Sequence, residues 1–156
     1  FRPWPARLAS RRPGPDSFFW RKHHESGRLC DMDGNLWQER AVIGEALSSR
    51  AGDSDADRRL LTLLLDPDDT AVIVRTTAAL LQQRSAPALR LVVVAASRAD
   101  ENQNDWIGEA LDGFLDGTPR NDAEWLQREL GSLHTDPDPA VARTARTLSE
   151  WSTPPR

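Results

Sequence analysis

The side chains best suited to bind a metal lie close together near the start of the chain. His23, His24 and Cys30 are metal-ligand types, and Asp31 and Asp33 follow them. Adjacent histidines on a helix point about 100° apart, and no fourth ligand stands at the spacing that a zinc site needs. A calcium-binding EF-hand loop that starts at Asp31 also fails, because its twelfth position is a valine instead of a bidentate glutamate. The sequence therefore predicts no metal and no cofactor.

The segment LCDMDGNL, residues 29–36, resembles the nucleophile motif of haloacid-dehalogenase-type phosphatases. That resemblance implies Asp31 as the attacking nucleophile and Asp33 as the acid/base group. The chemistry requires a buried strand before the first aspartate and a lysine downstream, but residues 23–28 are polar and the only lysine, Lys22, lies upstream. No Ser/His/Asp set, glycine-rich phosphate loop or pair of catalytic carboxylates stands out elsewhere, so we predict no catalytic residue.

Aspartates also cluster in three turns of the chain. The clusters are Asp66, Asp68 and Asp69; Asp136 and Asp138; and Asp53, Asp55 and Asp57. The first two clusters could bind a cation. An aspartate placed just before a helix more simply accepts hydrogen bonds from the free N–H groups there and interacts with the positive helix end. We therefore expect the first two clusters to cap helices and the third to be a solvated turn.

Apolar residues recur at i, i+4 and i+7 in pairs of helix-length segments. The first segment of each pair carries Ala56/Leu60/Leu63, Leu89/Val93/Ala96 and Leu126/Leu130/Leu133, and the second carries Val74/Ala78/Leu81, Ile107/Leu111/Phe114 and Val141/Ala145/Leu148. Corresponding positions are 33 to 37 residues apart. A repeat of this length with two amphipathic helices is typical of an α-solenoid, because one helix pair cannot bury its apolar face without a neighbour.

The pattern predicts helices throughout the repeat region. Their expected ranges are about 35–47, 56–65, 70–84, 86–98, 104–116, 122–133 and 139–151. The stretch Leu91–Ala96 is apolar on every side and rich in β-branched residues, so a buried strand is an alternative there. Its position at the helical spacing favours the most enclosed helix of the stack.

Two segments resemble the turn and second helix of HEAT repeats. They are DPDDTAVIVRTTA at residues 66–78 and DPDPAVARTA at residues 136–145, and weaker copies stand at 33–37 and 104–107. The resemblance covers about residues 30–151. It implies an all-α fold, a short right-handed solenoid of about four antiparallel helix pairs. Arg75 follows Val74 directly whereas Arg143 lies two places after Val141, which departs from the stacked arginines of that family.

The chain has six tryptophans and no tyrosine. Some HEAT-like proteins are DNA glycosylases that use tryptophan and aspartate to hold a damaged base, and Asp105 with Trp106 or Asp122 with Trp125 could act in this way. Such an enzyme needs a basic concave face for the DNA phosphates. Because the body of this chain is acidic, the glycosylase-type enzyme is kept as the alternative function.

Charge and composition bound the remaining possibilities. Residues 1–29 carry a net charge of +5 and the rest of the chain −9. One cysteine, Cys30, excludes an internal disulfide, and no apolar run approaches the ~20 residues of a membrane span. We expect a cytoplasmic location and no membrane association. The excess of arginine over the single lysine is typical of a GC-rich, bacterial genome.

The sequence divides into three parts. Residues 1–15 form a basic arm rich in proline, residues 16–151 the repeat domain, and residues 152–156 a tail. The repeat domain is expected to begin with a helix of about residues 16–29 that covers the apolar end of the stack. The basic arm either docks on the acidic body or binds an acidic partner or nucleic acid.

The function expected from these features is non-catalytic. A solenoid presents a long groove, here formed by the second helices, to which a protein partner binds. An adaptor, a regulatory subunit and an immunity protein all fit; the acidic body favours a basic partner, and nucleic acid is not expected. The candidate partner-binding residues are Trp20, Trp37, Arg40, Arg75, Trp106 and Arg143.

Overall fold

The computed structural model describes residues 36–116 and 120–152 of the chain. Within these ranges the chain forms seven α-helices, one 3-10 turn and no β-strand. The helices are α1 (Trp37–Ser48), α2 (Ser54–Leu64), α3 (Thr70–Gln82), α4 (Ala86–Arg98), α5 (Glu101–Asp116), α6 (Arg120–Ser132) and α7 (Pro139–Trp151), and the 3-10 turn is Leu133–Thr135. The predicted all-α class is thus confirmed for this part of the chain. None of these helices combines the length and apolarity needed to cross a membrane.

The helix starts agree with the sequence periodicity to within three residues. The strand alternative for Leu91–Ala96 is wrong, since this stretch is helical and buried within α4. The predicted arm, the helix expected near residues 16–29 and most of the predicted tail lie outside the described residues.

Short polar side chains fix where α3, α4 and α7 begin. Asp69 and Asp138 each accept a hydrogen bond from a backbone N–H of the following helix, at 3.0 and 2.9 Å. Ser85 does the same for α4, and Pro87 and Pro139 stand in first turns, where proline presets the helical φ angle. The cap interpretation of the clusters before α3 and α7 is therefore confirmed.

Asp53 departs from its expected role as a solvated turn residue. Its carboxylate caps α2 by accepting from the N–H groups of Asp55 and Ala56, at 3.0 and 3.3 Å, and pairs with Arg50. The hydrogen bond donated by the Ala56 N–H lowers the pKa of Asp53 most, followed by those from Arg50 and Asp55. Together they hold this pKa below its ordinary value. The expectation missed the cap because the predicted helix started at residue 56, three residues after this aspartate.

The helix α4 is the centre of the described fold. It packs against α2, α3, α5, α6 and α7, and every residue from Leu91 to Ala96 is buried. Because neighbours surround it, its apolar residues extend around the helix instead of forming one stripe. Enclosure by neighbouring helices on all sides thus explains why residues 91–96 are continuously apolar.

The second helices pack side by side in a row, α1 on α3 and α3 on α5. The approach of α1 to α3 is especially close at Gly44, where a Cβ atom would lie 2.2 Å from the Oγ1 atom of Thr76. Glycine is therefore required sterically at this crossing, although it is a poor helix former. The row brings the exposed sides of three helices next to one another.

The inward side of α3 differs from the predicted one. The sequence pattern placed Val74, Ala78 and Leu81 inside, but only Leu81 is buried, and Val74 and Ala78 are partly exposed. The buried residues of α3 are Val72, Ile73, Thr76, Thr77, Leu80 and Leu81. They cover about half of the helix circumference because α3 lies between α1 and α5 and also contacts α2 and α4. Leu133 and Phe114, also predicted inside, are partly exposed as well.

The last two helices depart from the side-by-side order. After α1, α3 and α5 the next second helix, α7, packs mainly on α4 and α6. Two ion pairs hold this end of the fold: Arg84 with Asp122 of α6, and Arg90 of α4 with Asp136 of the turn before α7. The exposed side of α5 is consequently not covered by α7 as the repeat order would suggest.

Candidate protein-interaction surface

The aspartates of the turn before α3 are used for structure. One carboxylate oxygen of Asp66 accepts from the backbone N–H groups of Asp68 and Asp69, at 3.0 and 2.9 Å. Its other oxygen accepts from Nε of Arg40 at 2.9 Å. The Asp66 side chain is only 7% exposed, and these partners balance its charge within the fold.

The turn before α7 repeats this arrangement. Asp136 accepts from the backbone N–H of Asp138 at 2.9 Å and from Nε of Arg90 at 2.8 Å. The Arg90 guanidinium, followed by that N–H, holds the pKa of Asp136 below its ordinary value. Within the described residues no group of three or more histidine, cysteine, aspartate or glutamate side chains is arranged to bind a metal. The candidate residues His23, His24, Cys30, Asp31 and Asp33 lie outside these residues.

The exposed sides of α1, α3 and α5 form a surface that we name the outer face. On α1 it includes Val42, which is 54% exposed, and Glu45. Glu45 accepts from Arg75 of α3 at 2.7 Å, which ties the two helices together at the surface. In the middle of the face, α3 presents Ala71, Val74 and Ala78, all partly exposed. These three residues lie within about 60° of helix circumference and form a strip of small apolar side chains.

The exposed side of α5 is acidic along its whole length. Its five charged residues are Glu101, Asp105, Glu109, Asp112 and Asp116, and the helix contains no basic residue. Their spacing places all five within about 80° of circumference, a row about 22 Å long. None of the arginines in the described residues forms an ion pair with Glu109, Asp112 or Asp116.

One carboxylate of this row titrates at unusually high pH. Partial burial, followed by the negative charges of Asp116 and Glu109, raises the pKa of Asp112 to about 6. Like charges at i, i+3 and i, i+4 also destabilise a helix by about 0.2–0.5 kcal/mol per pair. The row therefore destabilises the isolated protein and offers negative charge to a ligand.

The structure places three of the predicted binding residues in internal contacts. Trp37 packs against the buried residues Ala41, Leu63 and Val72. Arg40 is only 19% exposed and paired with Asp66, and Arg75 is paired with Glu45.

The other predicted binding residues are more widely separated. Trp106 is partly exposed on α5, where its Nε1–H donates to Asn102 at 3.3 Å. Arg143 is exposed on α7, outside the row of α1, α3 and α5. Trp20 lies outside the described residues. Sequence reasoning missed the acidic row, although its spacing of i, i+4, i+8, i+11 and i+15 is visible in the sequence.

A groove of about 360 Å³ lies on the other side of the fold, where the starts of α2 and α4 meet the end of α6. Its walls include Asp57, Leu89, Arg90, Glu129 and Leu133. The guanidinium of Arg90 is bound to Asp136 through two nitrogens, and the carboxylate of Asp57 accepts from the N–H of Gly52. The charged groups of Arg90 and Asp57 in this groove thus already have partners.

No protein-family model, curated protein or solved structure matches this chain.

Proposed function

We propose that the chain is a non-catalytic protein-binding module, a short HEAT-like solenoid that binds its partner on the outer face of α1, α3 and α5. The observation that carries this proposal is the row of second helices, whose exposed sides combine an apolar strip on α3 with the acidic row on α5. An adaptor, a regulatory subunit or an immunity protein would use the surface in the same way.

The charge of α5 weighs against the alternative, an enzyme of the DNA-glycosylase type. Asp112 is a perturbed carboxylate, and Trp106 lies on the same helix. DNA phosphates, however, bind to lysine and arginine, and five carboxylates on the exposed side of this helix would repel them. The perturbed carboxylate therefore stands in a surface that disfavours the substrate.

Selection from an unbiased library of displayed random peptides tests the proposal. We expect peptides that bind the full chain and lose binding when arginine replaces Ala78 at the C-terminal end of the apolar strip. A matched control is Ala86→Arg, an exposed position at the start of α4 on the other side of the fold, which should leave binding unchanged. Binders that are equally sensitive to both variants, or to neither, would contradict the proposed surface.

A second assay addresses the alternative directly. Duplex DNA that contains a single alkylated base should remain intact after incubation with the full chain. Base release that is lost in the Asp112→Asn variant would replace the binding proposal by the enzymatic one.

A further inference from the structure

The outer face also indicates the chemistry of its partner, an inference that rests on the function proposed above. The strip of Ala71, Val74 and Ala78 has short side chains, so another helix can approach α3 closely there. Apolar contacts alone would accept any amphipathic helix. The acidic row on the neighbouring helix α5 selects among such helices by their charge.

The acidic row runs beside the strip at the distance of one helix. Packed helices lie about 8–10 Å apart, and α5 packs directly on α3. A helix with its side chains is about 10–12 Å wide, so one that lies over α3 carries one of its sides above α5. Positively charged side chains at that side would meet Glu109, Asp112 and Asp116, which form no ion pair with any described arginine.

We propose that the occupant of the outer face is an amphipathic, basic helix of a partner protein. Its apolar side contacts the strip of α3, and its lysine or arginine side lies over the acidic row of α5. Bringing opposite charges together relieves the repulsion within α5 and directs both the affinity and the orientation of the partner.

Three designed peptides with one apolar stripe test this inference on the full chain. They are helical, of equal length, and differ only in carrying lysine, glutamine or glutamate at the polar positions. Fluorescence anisotropy at low ionic strength should show that the lysine peptide binds at least about tenfold tighter than the glutamine peptide, with no binding of the glutamate peptide. Raising the salt concentration should remove this preference.

Variants of the protein assign the binding to the two parts of the surface. Replacing Glu109 by Gln together with Asp116 by Asn should weaken the lysine peptide about fivefold. The control pair Asp55→Asn with Glu150→Gln changes the net charge equally, at exposed acids of α2 and α7, and should change the affinity by less than twofold. Ala78→Glu should weaken binding in spite of its added negative charge, because it obstructs the apolar strip.

Four results would overturn the inference. The glutamine peptide could bind as tightly as the lysine peptide, or the control pair could weaken binding as much as the α5 pair. A synthetic peptide of residues 1–29, which carry +5, could bind at least tenfold tighter than the lysine peptide, and the face would then belong to the chain's own basic segment. If library peptides still bind the outer face but are neutral or acidic, the inference fails while the proposed function remains.

Discussion

At the scale of single residues, Gly44 determines how closely α1 can approach α3. A Cβ atom there would lie 2.2 Å from Oγ1 and 3.1 Å from Cβ of Thr76. Gly44→Ala should therefore destabilise the protein by about 1–2 kcal/mol, since the clash outweighs the gain in helix propensity. Chemical denaturation measures the change.

Gly113 provides the matched control for that substitution. It lies inside α5, and an added Cβ would meet no atom within 4 Å. Gly113→Ala should stabilise the protein by about 0.5–1 kcal/mol through helix propensity alone. If Gly44→Ala is stabilising to the same extent, the close crossing of α1 and α3 is wrong.

Asp112 gives the stability a pH dependence of unusual sign. Its pKa is raised from 3.8 to about 6, so the folded state binds its proton more tightly than the unfolded state. This contribution to stability is present at low pH and is lost as the pH rises to about 6 and above.

Asp112→Asn should consequently match the wild type near pH 4 and be more stable than the wild type at pH 8. The difference at pH 8 should not exceed about 1 kcal/mol, because solvent screens this half-exposed group. Asp136→Asn serves as the opposite control. The pKa of Asp136 is lowered by Arg90, so this variant should be less stable than the wild type at pH 8, and the difference should shrink as the pH falls. Equal pH profiles for Asp112→Asn and the wild type would contradict the burial and repulsion assigned to this carboxylate.

The cap at Asp53, found where the sequence predicts a solvated turn, leads to a prediction about stability. Asp53→Ala removes two hydrogen bonds to the start of α2 and the pair with Arg50, so its melting temperature should fall. Asp55, in the first turn of the same helix, is 82% exposed and pairs only with Arg58 at the surface. Asp55→Ala should melt almost like the wild type, and an equal decrease for both would argue against a specific cap.

At the scale of helices, the buried leucines test which sides face inward. Leu111 of α5 and Leu130 of α6 are each 1% exposed. Replacing either by alanine should cost about 2–5 kcal/mol, since each leaves a cavity between helices. Val42→Ala, at the exposed side of α1, should change the free energy of unfolding by less than about 0.5 kcal/mol. Neutral leucine variants would mean that the inward sides are assigned wrongly.

The helices themselves were largely predictable from the sequence, for reasons visible at their ends. Asp-Pro turns precede α3 and α7, and a capping aspartate stands at Asp69 and Asp138, so local chemistry fixes those starts. The orientation of α3 was not predictable in this way, because a helix with neighbours on several sides has a wide buried arc that contains more than one i, i+4, i+7 series. Packing partners, which the sequence does not name, decide which series faces inward.

At the scale of the whole molecule, only the structure shows that α7 does not continue the row formed by α1, α3 and α5. The periodic spacing predicts α7 beside α5, yet α7 packs on α4, where Arg90 holds the turn before it through Asp136. The acidic row on α5 could have been read from the sequence. Its significance as a candidate site depends on that side of α5 remaining uncovered and lying beside the apolar strip of α3.

The position of a bound ligand shows whether a partner binds the outer face. Backbone amide resonances of the full chain can be followed by NMR while a peptide selected from the unbiased library is added. We expect the largest shift changes along residues 71–78 of α3 and residues 105–116 of α5. Changes confined to the starts of α2 and α4 and the end of α6 would place the ligand in the groove found there and contradict binding on the outer face.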